Sequence, residues 1–188
     1  MKITYENKDY DIEYGITVGE AFKEQIENHE LKNIIAARLN NSIVSLKTPI
    51  TEDGEIEFFN RQDKDGRIIY IRGLLFLMCK AFSEVYPEAL LTVNYQVSNA
   101  MFGTVDNMEV TDEMIFKVKE KMQEIIDKDL PITKIMMTQE EAEEFYKKEA
   151  TIKGRLQTNI DKDKVSLYYC EDYYNYFFRN NANFNKFC

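Results

Sequence analysis

The chain of 188 residues has no tryptophan, three prolines, seven glycines, three cysteines and a single histidine. Each scarcity excludes something. Cys79, Cys170 and Cys188 are odd in number and none forms a C-x-x-C pair, so a disulfide framework or a zinc knuckle is not expected, and three free thiols in a reducing compartment fit best. One histidine, His29, cannot supply a His-rich metal site, and no G-x-S-x-G nucleophile motif accompanies it as triad base. Its place in ENHEL, closing a helical pattern, suits a surface or capping role. Gly15, Gly19, Gly54, Gly66, Gly73, Gly103 and Gly154 open neither a P-loop nor a G-x-G-x-x-G fingerprint, so these residues do not cradle a nucleotide phosphate in either way. Positive charge is in deficit, with 24 Lys and Arg against 33 Asp and Glu, a formal net charge of −9. Such a chain has no general attraction for DNA, phosphate backbones or anionic lipid. The most apolar run, GLLFLMC at 73–79, is far shorter than the about twenty residues a bilayer requires, and MKITYENKDYDIEY contains no apolar leader. A cytoplasmic protein without a membrane partner is the expectation.

What is present is a normal globular balance, 44% hydrophobic and 30% charged, with twelve Tyr and twelve Phe in place of indoles. ITY and YDIEY alternate around the polar ENKD and predict a hairpin. Thr17 with Glu20 reads as a capping box opening one helix, VGEAFKEQIENH, whose apolar face is Ala21, Phe22 and Ile26. Two β-rich runs then flank Asn40-Asn41, a pair tolerant of left-handed turn geometry, and EIEFF follows the EDG turn. Strand, strand, helix and three further strands predict a β-grasp-like domain over 1–63, with DKDG at 63–66 as a joint.

From Arg67 the period becomes helical: Ile68, Ile71, Leu75, Met78, Phe82 and Val85 predict a long buried helix that Pro87 stops. TVNYQV and AMFGTV predict a hairpin around Ser98-Asn99. Thr111 caps a second helix whose stripe is read as Ile115, Val118, Met122, Ile125 and Ile126. ITKIMMT predicts a strand, Thr138 with Glu141 caps another helix, TIKGRLQTNI reads as a small helix or loop, and KVSLYYC as a strand. The fold class is therefore α+β, with a second domain over 67–188 built on a central helix packed against an antiparallel sheet. The acids of QEEAEEF share their helix with Lys147 and Lys148 and read as a solvated face, not a metal cluster. Cys79, on the apolar helix with no basic partner in view, reads as an inert buried thiol. Residues 168–184, YYCEDYYNYFFRNNANF, place eight aromatics in seventeen positions.

These segments carry a resemblance. AARLNNSIVSLKTPITEDGEIEFF resembles the end of a TGS domain, the β-grasp module of threonyl-tRNA synthetases and some GTPases. RGLLFLMCKAFSEVYPEALLTVNYQVSNAMFGTV, VTDEMIFKVKEKMQEIIDKDLPITK and YYCEDYYNYF resemble the second additional, editing-type domain of those synthetases. That domain carries H-x-x-x-H on its central helix and C-x-x-x-H near its end. Those positions fall here on Arg72, Phe76, Phe177 and Asn181, none of which matches the motif. The resemblance thus implies an editing-type scaffold with no metal, no cofactor and no recognisable catalytic residue.

With the histidines replaced, the arrangement also resembles the N-terminal half of bacterial uridine-kinase-like nucleoside kinases, to which YYCEDYYNYFF is closer still. That resemblance implies a non-catalytic accessory module. Its partner would be a C-terminal P-loop kinase domain, to which the ATP-dependent transferase activity would belong, whether the chain is a fragment or a shortened stand-alone relative. The candidate relic pocket comprises Arg72, Phe76, Tyr173, Phe177 and Asn181, with Arg72 to meet an anion, Tyr173 and Phe177 to stack on a base of a nucleotide or RNA ligand, and Asn181 to hydrogen-bond it. The plainer reading is that these side chains fill the volume a metal site left. A tRNA-binding or metal-free tRNA-editing domain, and a pure interaction or dimerisation module, are the alternatives.

Overall fold

The computed structural model describes residues 1–28, 34–97, 100–148 and 165–176. It is an α+β protein whose chain clusters into two compact units, Met1–Gly73 and Leu74–Cys188. His29, the Ser98-Asn99 turn and TIKGRLQTNI lie outside the described residues.

In the first unit, β1 (Lys2–Tyr5) and β2 (Lys8–Asp11) pair antiparallel. Their connection is Glu6 and Asn7, with φ of 48° and 62°, the double left-handed geometry that matches strand twist in a two-residue hairpin. Thr17 caps α1 (Val18–Ala21), with its capping box to Glu20 complete. The helix expected to run on from there is broken: Phe22, at φ −114° and ψ 26°, separates α1 from α2 (Lys23–Asn28). The break has a packing reason, since the Phe22 ring is fully buried and meets Tyr5, Tyr10 and Phe58 edge-on at 5.8, 5.4 and 5.4 Å between centroids.

Three strands complete the unit: β3 (Ile34–Leu39), β4 (Ser42–Val44) and β5 (Gly54–Asn60). The sheet order is β2-β1-β5-β3-β4, with β1 and β5 parallel at the centre, which is the β-grasp arrangement. Asn40 turns at φ 52° between β3 and β4. Its side chain accepts the Glu55 N–H at 3.0 Å and donates to Glu52 Oε1 at 3.2 Å, so one amide ties that turn to the entry of β5. The core gathers Ile3, Val18, Phe22, Ala37, Leu39, Ile50, Ile56 and Phe58. On the other face, Arg38 lies 4.8 Å over the Phe59 ring and pairs with Glu57 at 2.6 Å and Asp65 at 2.8 Å.

The long helix α3 (Lys64–Val85) begins three residues before the Arg67 expected from the apolar period. The Arg67 N–H closes on the Asp63 carbonyl at 2.8 Å, so most of DKDG forms the first helical turn. Gly66 there packs so close to the Asn60 carbonyl that a Cβ would collide with it.

The second unit contains the rest of α3, the hairpin β6 (Leu90–Val97) and β7 (Ala100–Asp106), and α4 (Asp112–Asp127). Thr111 Oγ1 accepts the Met114 N–H at 3.2 Å as the α4 cap. Its buried stripe is Met114, Val118 and Ile125, packed with Ala81, Phe82 and Ala89. Ile115 and Ile126, assigned to that stripe from the sequence, are 57% and 50% exposed. One residue is 100° of helical rotation, enough to move a side chain off the face.

Then follow β8 (Thr133–Met137), α5 (Gln139–Lys148), β9 (Val165–Cys170) and β10 (Tyr173–Tyr176). The three strands form an antiparallel sheet in the order β10-β9-β8. The capping box of α5 is closed in both directions, Glu141 N–H to Thr138 Oγ1 at 3.1 Å and Thr138 N–H to Glu141 Oε2 at 2.8 Å. Among the described residues no helix is long and apolar enough to cross a membrane.

Candidate functional site

The aromatic stretch resolves into a hairpin with two different faces. Alternation along β10 sends Tyr173 and Asn175 inward, 7% and 3% exposed, and Tyr174 outward. On the outer face Tyr174 stacks on its cross-strand partner Tyr169 at 5.4 Å, and Phe145 of α5 meets Tyr174 edge-on at 4.8 Å. On the inner face Tyr173 meets Phe76 of α3 edge-on at 5.2 Å, and the Asn175 amide donates to Tyr173 Oη at 3.1 Å. Burial pushes the Tyr173 phenol far above its ordinary range against the opposing effect of the Asn175 bond, so it is a neutral group at any physiological pH.

Of the five residues assigned to a relic pocket, two are thus brought together. Phe76 is 1% exposed and fills space against Tyr173. Arg72 is half-buried on α3 in the first unit, and Phe177 and Asn181 lie outside the described residues. Asn175 was not singled out from the sequence, although its polar type at an inward position of β10 is the signal that marks it.

The charged centre of the unit was also missed. Lys80 stands one turn after Phe76 on α3, in the middle of an apolar run, and its side chain is 1% exposed. Its Nζ lies 2.7 Å from Glu84 Oε1, 3.1 Å from Glu171 Oε2 and 3.7 Å from Asp172 Oδ1. Glu171 and Asp172 are the turn between β9 and β10, with Glu171 left-handed at φ 54°. Glu84 is shared with Lys121 of α4 at 3.1 Å, and Lys121 reaches Glu124 at the same distance.

Burial pulls the Lys80 ammonium down, yet the carboxylates of Glu84 and Glu171 outweigh it and hold the group above its usual value. Burial pushes Glu84 up, and Lys80 and Lys121 together bring it below the usual carboxylate range. Both groups therefore stay charged, as a buried pair must if its desolvation is to be offset. Chemically this centre is a fixed cation with its counter-ions in place, not a poised base.

The cysteines require a correction. Cys170 is a free, buried thiol, raised by burial and partly offset by the nearby Lys80 charge. Cys79, expected as a free thiol, is disulfide-bonded. Sequence spacing does not reveal which distant thiols a fold brings together. Among the described residues no group of three or more His, Cys, Asp and Glu side chains is placed to hold a metal ion.

No protein-family model matches the chain. Curated proteins do resemble it. It is 28% identical over 144 residues to a threonine–tRNA ligase of Rubrobacter xylanophilus, covering 76% of this chain and 22% of that protein. It is 27% identical over 170 residues to the threonine–tRNA ligase of Desulforamulus reducens, covering 88% and 26%. It is 28% identical over 167 residues to that of Aquifex aeolicus, covering 87% and 25%. The chain spans about a quarter of the length of these relatives, and over most of its own length it is similar to threonyl-tRNA synthetases.

Proposed function

We propose that the chain is an accessory module of threonyl-tRNA-synthetase type: a TGS-like domain over 1–63 and an editing-type domain over 67–188 that retains the scaffold without the hydrolytic chemistry. One observation carries the reading. Phe76, which the resemblance aligns with the second histidine of H-x-x-x-H, is a buried ring packed edge-on against Tyr173. Neither ring supplies a metal-ligating nitrogen or a general base at neutral pH. The module's work is then binding, to a tRNA or nucleotide ligand or to the remainder of a larger protein, in the cytoplasm.

The test is hydrolysis itself. Mischarged tRNA for threonine, incubated with the purified chain in excess, is expected to lose its aminoacyl ester at the rate seen in buffer alone. A tenfold faster loss, abolished on Phe76→Ala or by chelation, overturns the reading.

A finer reading concerns the parent protein. The phrase YYCEDYYNYFF resembles uridine-kinase-like nucleoside kinases more closely than it does synthetases. In such a parent the ATP-dependent phosphoryl transfer belongs to a C-terminal P-loop domain, and the present residues serve it as an accessory. The DNA sequence downstream of Cys188 decides: a reading frame continuing into G-x-x-x-x-G-K-[ST] supports the kinase parent, and one continuing into a synthetase catalytic domain replaces it.

A further inference from the structure

We infer that Lys80 is the clasp of an ionic latch that holds the β9–β10 hairpin as a strap over the Phe76 face of α3. Three elements meet on this one ammonium: α3 through Glu84, α4 through the Glu84–Lys121 pair, and the β9–β10 turn through Glu171 and Asp172. The three contacts are not equivalent. Glu84 is on the helix of Lys80 itself and has a second cation in Lys121, so that half of the network persists when the strap leaves. Among the described residues the turn's carboxylates have Lys80 as their cation, and they are more exposed than Glu84, Glu171 at 45% and Asp172 at 96% of the side chain against 31%.

The strap side of the network is therefore the side that opens. Beneath it lie groups that profit from closure: Tyr173 on Phe76, Asn175 on Tyr173, and the buried Leu167 and Cys170 of β9. Burying a cation costs desolvation that an apolar side chain of similar volume does not incur. What the cation adds is direction, since it accepts only the register that places a carboxylate turn on it. Neutralising the turn leaves the strap resting on the β8–β9 ladder and loosens it from the Phe76 face, while the helix pair α3–α4 keeps its own packing through Phe82, Met114 and Val118. This latch is independent of the activity proposed above.

Amide hydrogen exchange on the full chain tests it. In Glu171→Gln/Asp172→Asn, the amides of β9 and β10 are expected to exchange at least tenfold faster than in the wild type, with those of α4 and of the β6–β7 hairpin unchanged. Lys80→Met, which refills most of the volume without the charge, is expected to give the same pattern. Lys121→Met, which cuts only the α4 side, leaves strap exchange at the wild-type rate. The latch is overturned if the turn variant leaves β9–β10 protection intact, or if exchange rises equally across the second unit. Should Lys80→Met fail to fold, the turn variant alone decides, because it removes no buried volume.

Discussion

Phe76→Ala separates a packed core from an open pocket. The side chain is 1% exposed and its ring meets Tyr173 at 5.2 Å and 75° between planes. Removing a buried phenyl group costs about 3–5 kcal/mol through lost transfer energy and residual cavity, a figure that includes the loss of an aromatic pair worth roughly 0.5–1.5 kcal/mol. With a urea dependence of about 1–3 kcal/mol per molar, the midpoint of the second unit falls by at least about 1 M. Because the chain clusters into two compact units, a single global midpoint blends two transitions. Urea-dependent amide exchange, read separately in α4 and in β3, resolves them. The expected result is a loss confined to the second unit, with β3 exchanging as before. Phe76→Leu keeps most of the apolar volume and is expected to cost well under half as much. A Phe76→Ala penalty below about 1 kcal/mol would refute the reasoning, since only a ring facing an existing void can be deleted so cheaply.

The pH dependence follows from the charged centre. Glu84 is held below its ordinary value of 4.5, so its contribution is complete above that pH and is lost as pH falls through the depressed folded value. Lys80 is held above 10.5, so its contribution is complete below that and is lost as pH rises through the raised folded value. With Glu171, Asp172, Lys121, Glu124 and the Cys170 thiol facing the same cluster, the second unit is expected to show a stability plateau between those limits and an acid decline. Lys80→Met, measured by the same urea series, flattens the acid limb; an unchanged limb counts against the assignment. In the first unit Gly66→Ala places a methyl group against the Asn60 carbonyl, a backbone atom that cannot swing aside. The expected loss is about 1–3 kcal/mol, seen as a lower melting temperature of the first unit, and an unchanged melt would show that the α3 entry relaxes freely.

Much of the fold was legible because its signals are local. Thr17 with Glu20 and Thr138 with Glu141 each span three residues, and both capping boxes form. Asn40 supplies its left-handed turn, and α3 stops at Val85, before Pro87. The departures come from tertiary packing. Phe22 breaks its helix because three rings of the sheet enclose it, and α4 shifts its buried stripe to Met114 because of what α3 presents. The candidate site was legible in part, by resemblance alone: Phe76 and Tyr173 are 97 residues apart, and no periodicity connects them. Lys80 was passed over because a single lysine in an apolar run reads as a side chain reaching solvent, and only the fold brings the acidic turn to it.

The distance between Lys80 and its partner Glu171, 91 positions along the chain, sets an order of events during synthesis. The helix carrying the ammonium is complete long before the turn that neutralises it is translated, and contacts of such separation form late. A nascent chain ending before Val165 leaves Lys80 with Glu84 but without either carboxylate of the turn, and leaves β8 without the strand that pairs with it. Synthesis of the β9–β10 hairpin therefore acts as a late assembly step of the second unit, and a ribosome stalled before Val165 holds an intermediate with an exposed sheet edge, the species on which chaperones and proteases act.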